Sequence, residues 1–198
     1  MNQSCSEDTL RAAFSFLQKG DKLMIRKAVE SDLDQVSGIY NEIHEEEKAN
    51  RLATGWLSGI YPVRETAETA LERGDLFVFE EGLKVLASAI INQSQVEVYK
   101  DGKWLYNAPD SRIMVLHTLT VSPKAAKQGI GRAFVAFYEA YARENGCTVL
   151  RIDTNAKNTV ARSFYQKLGF REAGIVPCVF NGIPGVNLVL LEKAVTIG

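Results

Sequence analysis

Two glycines, Gly129 and Gly131, stand one residue apart at the start of a run of apolar residues with helical spacing. The first backbone N–H groups of a helix have no partner inside it, and the helix dipole places partial positive charge there. Because glycine has no Cβ, a phosphate can approach the amides of residues 127–132 closely. The spacing therefore predicts an anion site, with phosphate as the natural occupant. The alternative is a tight turn that only leads into the helix.

Three phosphate-binding motifs can be compared with this stretch. A P-loop requires a lysine after its last glycine, but Gly131 is followed by Arg132. A dinucleotide fingerprint requires a third glycine where Phe134 stands, although Asp153 after the next strand resembles its ribose-binding acid. The lead-in of seven residues, 122–128, is also too long for that fingerprint. The third motif, the pyrophosphate loop of coenzyme A acyltransferases, tolerates such a lead-in.

The elements that must position these glycines alternate between strands and helices. A strand is predicted before the glycines and another after their helix, and a further helix begins at Asn158, which is a good cap. The pair Glu81-Gly82 indicates a hairpin upstream. The predicted strands cover 22–28, 75–92 as a hairpin, 112–121, 148–153 and 186–195, and the helices cover 31–48, 64–74, 130–145 and 158–169. This order predicts one mixed α/β layer structure with a parallel strand pair after residue 112.

Two motifs resemble the GNAT superfamily of N-acetyltransferases. The stretch LTVSPKAAKQGIGRAF is similar to its pattern [QR]-x-x-G-x-[GA], although Ala126 replaces the first polar residue. The stretch NTVARSFYQKLGF is similar to a second pattern, through Asn158, Ala161, Phe164, Tyr165, Lys167, Gly169 and Phe170. The resemblance covers about residues 23–193. It implies an α/β fold with a mostly antiparallel sheet, a splayed parallel strand pair and flanking helices, in one domain over residues 23–198. Residues 1–22 are predicted to form a helical extension.

The resemblance implies acetyl-CoA as the cofactor. Its pantetheine arm, a chain of amides, would pair with main-chain groups that the splay leaves free, and its pyrophosphate would bind at the glycine turn. The residues expected to bind the cofactor are Leu119, Thr120, Val121, Lys127, Gln128, Gly129, Ile130, Gly131, Arg132, Asn155, Asn158 and Tyr165.

The resemblance also implies catalytic roles. Tyr165 resembles the family's general acid for the departing sulfur; the alternative is a polar edge on a helix face led by Phe164. His117 resembles a histidine of the serotonin N-acetyltransferase branch that helps remove the amine proton, or it only lines the core. It is predicted to share a face with Val115 and Leu119. Glu97 and the run Glu45–Glu47 are alternatives for the base, and the run is more typical of a solvated helix end.

The acceptor side is predicted from aromatic residues. Trp56, Tyr61, Tyr99 and Trp104, with Tyr106, suit a small apolar or cationic amine, and core packing is the equal alternative. We therefore expect an N-acetyltransferase that moves an acetyl group to a primary amine of a small molecule or peptide, by direct attack in a ternary complex. The alternatives are a CoA-binding regulatory module without turnover, and an acyltransferase with another acyl donor or a hydroxyl acceptor.

Composition excludes several other classes. A net charge of −1 gives no reason to expect nucleic acid or an anionic membrane as a partner. The three cysteines form no CxxC pair, so a cytoplasmic location is expected, and with two histidines no metal site is expected. No apolar run is long enough to predict a membrane span. A homodimer is left as an alternative to a monomer.

Overall fold

The computed structural model describes residues 23–196, and the helix predicted for residues 1–22 lies outside that range. The division of the chain at residue 22 therefore stays a prediction. The helices and strands follow one another as β1 (Leu23–Lys27), α1 (Leu33–Lys48), α2 (Arg64–Glu72), β2 (Leu76–Glu81), β3 (Lys84–Asn92), β4 (Ile113–Val121), α3 (Ile130–Glu144), β5 (Val149–Asn155), α4 (Thr159–Lys167), β6 (Arg171–Phe180) and β7 (Ile183–Ala194).

The strands form one seven-stranded sheet in the order β1-β2-β3-β4-β5-β7-β6. Every neighbouring pair is antiparallel except β4 and β5, which are parallel. Their pairing runs from Ile113 opposite Val149 to Leu116 opposite Ile152, and the two strands separate beyond that point. The predicted fold class, a mostly antiparallel sheet with a splayed parallel pair, is confirmed.

One strand was not predicted from the sequence. Residues 171–180 form β6, which lies at the edge of the sheet and makes a hairpin with β7. Gly174 and Pro177 are disfavoured inside a strand, and the outward positions carry the apolar residues Ile175 and Val179. The usual alternation of apolar and polar residues is therefore absent. An edge position tolerates these residues because one side of the strand needs no partner.

Helices cover both faces of the sheet. On one face, α3 and α4 pack on the central strands, and the Phe134 and Tyr138 side chains of α3 are fully buried. The Tyr138 hydroxyl donates to the Met114 carbonyl at 2.6 Å and accepts from the Arg151 amide at 3.2 Å. It therefore ties α3 to both parallel strands just before they separate. On the other face lie α1, α2 and the segment 96–108.

A β-bulge interrupts β4 where the splay begins. Opposite Ala89 of β3, β4 carries two residues, Thr118 and Leu119, and Thr118 has a left-handed φ of 48°. The extra residue reverses the faces of the side chains that follow it. Leu119 therefore packs with the α3 and α4 cluster, while Val115 packs on the opposite face. The sequence predicted that His117 shares a face of the sheet with Val115 and Leu119. This prediction is wrong for Leu119.

Candidate active site

The splay between β4 and β5 opens into a cleft of about 1140 Å³. It is lined by the ends of these two strands, the first turns of α3 and α4, and the loop between α1 and α2. The hairpin of β6 and β7 completes one wall through Phe180 and Ile183. Motifs that are distant in the sequence therefore meet in one cavity.

The glycine turn forms the cap of α3. Gly129 is the N-cap residue with φ 82°, a left-handed conformation that disfavours side chains, and Lys127 has φ 65°. The first bond of the helix runs from the Ala133 amide to the Gly129 carbonyl at 3.0 Å, so the amides of residues 130–132 remain as donors. A Cβ on Gly131 would lie 3.5 Å from the Phe164 ring of α4. This is an ordinary contact distance, so the packing of α3 on α4 would accept a single Cβ at this position.

Most of the predicted cofactor residues line this cleft. They are Leu119, Thr120, Val121, Lys127, Gly129, Ile130, Gly131, Arg132, Asn155, Asn158 and Tyr165, whereas Gln128 is not among the lining residues. The Asn158 side chain caps α4 by accepting from the Ala161 amide at 3.0 Å. The Asn155 side chain accepts from the Lys157 amide at 3.0 Å. Both asparagines thus shape the turn between β5 and α4.

The tail of β4 presents main-chain groups to the cleft. The Ser122 amide donates to the Leu86 carbonyl at 2.8 Å, so it faces β3. Neighbouring residues of a strand point their amides in opposite directions, so Val121 faces the edge where β5 no longer pairs. Leu119 faces that edge for the same reason, since Thr120 lies opposite Ser88. These two residues offer the unpaired amides that the splay was predicted to leave.

Asp153, at the end of β5, places a carboxylate in the middle of the cleft. Its oxygen accepts from the Tyr99 hydroxyl at 2.8 Å. Burial raises the pKa of Asp153 to about 6, and the Tyr99 hydrogen bond opposes this effect. Sequence reasoning considered Asp153 only as a mimic of a ribose-binding acid. Its position at the end of a predicted buried strand was the one signal that could have identified it.

Tyr165 lies in the same cleft at the end of α4, buried between the rings of Phe164 and Phe170. Burial, and next the charge of Asp153, raises the pKa of its hydroxyl. The phenol therefore keeps its proton at neutral pH and can act as a donor in the cleft. This arrangement suits an acid or hydrogen-bond donor and disfavours a phenolate nucleophile.

His117 lines the cleft and comes directly before the bulge at Thr118. Its Nε2 atom lies 3.2 Å from the Asn92 side-chain oxygen and 3.1 Å from the Ser94 carbonyl. Burial lowers the pKa of His117, so the ring is neutral at pH 7. Because both neighbours of Nε2 are acceptors, Nε2 carries the hydrogen and Nδ1 keeps the lone pair. Glu97 is exposed, pairs with Lys100 and does not line the cleft.

The acidic run at the end of α1 anchors a loop over the cleft. We call residues 50–56 the strap; all of them line the cavity. The Glu47 carboxylate accepts from the Thr54 amide at 2.7 Å, the Thr54 hydroxyl at 2.8 Å and the Gly55 amide at 2.9 Å. Glu46 binds the Arg51 guanidinium through two bonds of 2.6 and 2.7 Å. Of the predicted run, Glu45 alone pairs within the helix, with Lys48 at 2.7 Å.

The strap crosses from α1 to the end of β5. A Cβ on Gly55 would overlap the side-chain amide of Asn155, so the two segments lie in direct contact. Gly55 also has a left-handed φ of 74°. The strap therefore forms a wall of the cleft that contacts the end of β5.

We expect Gly55→Ala to be more destabilising than Gly59→Ala. Both glycines have nearly equal φ, 74° and 75°, but a Cβ on Gly59 meets nothing within 4 Å. Gly59→Ala thus measures conformational strain alone, about 1 to 2 kcal/mol. Steric overlap should add about 1 to 3 kcal/mol at Gly55. Combining Gly55→Ala with Asn155→Ala should remove most of that addition in urea unfolding. Equal costs at the two glycines would show that the Asn155 side chain moves aside without loss of stability, and would contradict the expected steric cost.

Two of the four predicted acceptor aromatics line the cleft. Trp56 and Tyr61 meet edge to face, with centroids 6.0 Å apart, and both line it. Tyr99 acts on the site through its bond to Asp153, and Trp104 stacks 3.9 Å from the Arg151 guanidinium in the neighbouring cluster. Tyr106 belongs to that same cluster. Trp104 contacts Tyr99, because its indole N–H donates to the Tyr99 carbonyl at 2.6 Å, but neither Trp104 nor Tyr106 lines the cleft.

Comparison with known proteins gives one family. A model described as the acetyltransferase (GNAT) family matches residues 38–170. An uncharacterised N-acetyltransferase of Methanocaldococcus jannaschii is 29% identical over 76 residues, which cover 38% of this chain and 34% of that protein. The aminoglycoside N(6')-acetyltransferase type 1 of Klebsiella aerogenes is 40% identical over 58 residues, which cover 29% of this chain and 38% of that protein. The matches thus span little more than a third of these relatives.

A solved structure extends the likeness to most of the chain. The protein yncA of Salmonella typhimurium, determined with its cofactor acetyl-CoA, has a TM-score of 0.62 and 17% identity, and the match covers 87% of this chain and 93% of that one. At this identity the likeness concerns the fold. No helix among residues 23–196 has both the length and the apolar character that a membrane span requires.

Proposed function

The chain belongs to the GNAT family of acetyltransferases, and we propose that it transfers an acetyl group from acetyl-CoA to a primary amine in a ternary complex. One observation carries the proposal: the glycine turn, the free amides of β4, Asp153 and Tyr165 all open into a single cleft. The relatives named as N-acetyltransferases support this activity. One of these relatives is named as an aminoglycoside acetyltransferase. That name does not assign the acceptor of this chain.

The residues of the cleft fit coenzyme A. The helix-start amides of residues 130–132 would hold the pyrophosphate, and Lys127 and Arg132 add positive charge beside them. The main-chain groups of Leu119 and the carbonyl of Val121 would pair with the pantetheine arm, as an added strand does, and the Val121 amide is left for the thioester oxygen. When bound, acetyl-CoA supplies an activated thioester. Ala126 is exposed beside the turn and offers no polar side chain, so recognition rests on the backbone donors.

Three groups of the chain then serve the transfer. The Asp153 carboxylate takes the proton that the amine loses as it attacks, directly or through water. The Val121 amide donates to the oxygen on which negative charge develops. Tyr165 donates its proton, or a hydrogen bond, to the departing sulfur. We assign the base to Asp153 because its carboxylate lines the cleft with Tyr165 and burial raises its pKa to about 6. His117, whose Nδ1 lone pair is free of the bonds at Nε2, is the alternative base.

We expect acetyl-CoA to raise the melting temperature. A ligand at 100 times its Kd adds about 2.7 kcal/mol to the free energy of unfolding, and for a chain of this size each kcal/mol shifts Tm by about 2 to 4 °C. NAD should give no shift. Gly131→Val, which places a branched side chain between the helix start and Phe164, should weaken binding at least about tenfold, or 1.4 kcal/mol.

Gly38→Val is the matched control, because Gly38 lies exposed on α1 with nothing within 4 Å of its Cβ position. A Tm shift with NAD and none with acetyl-CoA would overturn the proposal. Acetyl-CoA binding without acetyl transfer to any amine or alcohol would favour a regulatory module. Faster reaction with a longer acyl-CoA, or with an alcohol, would instead identify a different acyltransferase.

A further inference from the structure

The acceptor half of the cleft has aromatic and aliphatic walls. Trp56 and Tyr61 form one wall, and the Tyr61 hydroxyl is hydrogen-bonded to the Thr118 side chain at the bulge, which fixes the ring beside the splay. Burial raises the pKa of Tyr61 to about 12. The hydrogen bond to Thr118 opposes this shift, and the charge of Asp153 adds to it. The hairpin of β6 and β7 adds Phe180, Ile183, Val186 and Leu188 to the lining, and Tyr61 packs on the same apolar cluster. An apolar body can lie along this surface.

The charges in this half of the cleft limit the acceptor further. Among the described residues that line it, Asp153 is the one carboxylate. The cations are Arg51, held by Glu46, and Arg73, held by Asp75 through bonds of 2.9 and 3.2 Å. One ammonium group can pair with Asp153. Further ammonium groups on the same acceptor would find no second carboxylate among the lining residues.

Apolar side chains continue from the cleft to the surface. Leu52 lines the cleft, and Leu57, Ile60 and Val179 lie on segments that also contribute lining residues; the four side chains are between 39% and 68% exposed. Ile60, in the loop between α1 and α2, packs against the tip of the β6 and β7 hairpin. Its side chain lies 3.4 Å from the position of a Cβ on Gly182. The strap and the hairpin thus form an apolar rim at the acceptor side.

From these walls, charges and rim, we infer that the acceptor is a monoamine with an apolar body, such as an arylalkylamine or a medium-chain alkylamine. The ammonium group pairs with Asp153 on binding and loses one proton to water to become the attacking amine. The body contacts Trp56 and Tyr61 and extends toward the rim. Polyamines and aminoglycosides are disfavoured, because each carries several positive charges for the one carboxylate. This inference rests on the proposed function and specifies its acceptor.

The test measures acetyl transfer from acetyl-CoA to four amines: phenethylamine, hexylamine, spermidine and kanamycin. We expect kcat/KM for the two apolar monoamines to exceed that for the two polycations at least tenfold. Trp56→Ala should raise KM for phenethylamine about tenfold and leave KM for acetyl-CoA unchanged. Leu83→Ala is the control, since Leu83 is 90% exposed in the turn between β2 and β3 and is not among the cleft residues.

The outcomes separate the inference from the proposed function. Preference for spermidine or kanamycin, or a Trp56→Ala variant with unchanged KM for phenethylamine, would overturn the acceptor class while the acetyltransferase proposal stands. The same holds if acetyl-CoA binds and neither apolar monoamine is acetylated. If acetyl-CoA did not raise the Tm of the parent protein, both the acceptor class and the acetyltransferase proposal would be overturned.

Discussion

Asp153→Asn should lower kcat/KM for the amine at pH 8 by about 10²-fold or more, the usual effect of one acid–base group. The amide keeps the shape of the carboxylate and can still accept from the Tyr99 hydroxyl, but it cannot take a proton. In the parent protein, activity should rise as the pH increases through about 6, where Asp153 ionises. That ionisation should be absent from the residual activity of the variant.

The same substitution should change stability in the opposite direction. The folded-state pKa of Asp153, about 6, lies above the value near 4 for an unfolded chain, so the folded protein holds the proton more tightly. Its contribution to stability therefore falls as the pH rises from 4 to 6. Urea unfolding should show Asp153→Asn to be more stable than the parent above pH 6 and similar below pH 4.

Glu97→Gln is the matched control, because it neutralises an exposed carboxylate outside the cleft. It should leave both profiles unchanged. His117→Gln should keep the ionisation near pH 6. A parent-like pH profile in Asp153→Asn, together with its loss in His117→Gln, would transfer the role of base to His117.

Tyr165→Phe should lower kcat by about 10²-fold while acetyl-CoA affinity and Tm change little. The ring stays packed between Phe164 and Phe170, so only the hydroxyl is lost. Because the pKa of Tyr165 is raised, its proton is held firmly, and a hydrogen bond to sulfur could supply part of the effect. Thiolate is already a fair leaving group, so a loss near tenfold would still agree with an assisting role.

Tyr141→Phe is the control for the loss of a hydroxyl elsewhere, because Tyr141 packs on Phe77 and Phe137 away from the cleft. It should retain parent activity. If Tyr165→Phe turned over at the parent rate with chemistry limiting kcat, Tyr165 would be a packing residue, and the proton would come from another source.

Local signals made much of the fold predictable. The Asn158 cap, the left-handed Gly129 and the hairpin at Glu81-Gly82 depend on a few neighbouring residues, and each lies where it was expected. The splay followed from two motifs that resembled a known family. The strands and helices that carry these motifs agree with the predicted ranges to within a few residues.

The remaining features depend on contacts between distant segments. Asp153 is bonded to the Tyr99 hydroxyl, from a residue 54 positions away in the chain, and the strap contact joins Gly55 to Asn155. The role of Glu47 was obscured because a run of acidic residues usually indicates a solvated helix end. Apolar residues lie on both faces of β6, with Ile175 and Val179 outward and Val176 and Cys178 packed against the core, so no periodic pattern identified it.

The bulge at Thr118 limits how roles are transferred between sequences. An ungapped alignment of β4 with a relative whose strand is regular would match residues before position 118 correctly and compare opposite faces after it. A histidine aligned with His117 and one aligned with Leu119 would thus belong to different layers, although they are two positions apart. Homology arguments about the base in this family therefore need the register of this strand as well as the identity of its residues.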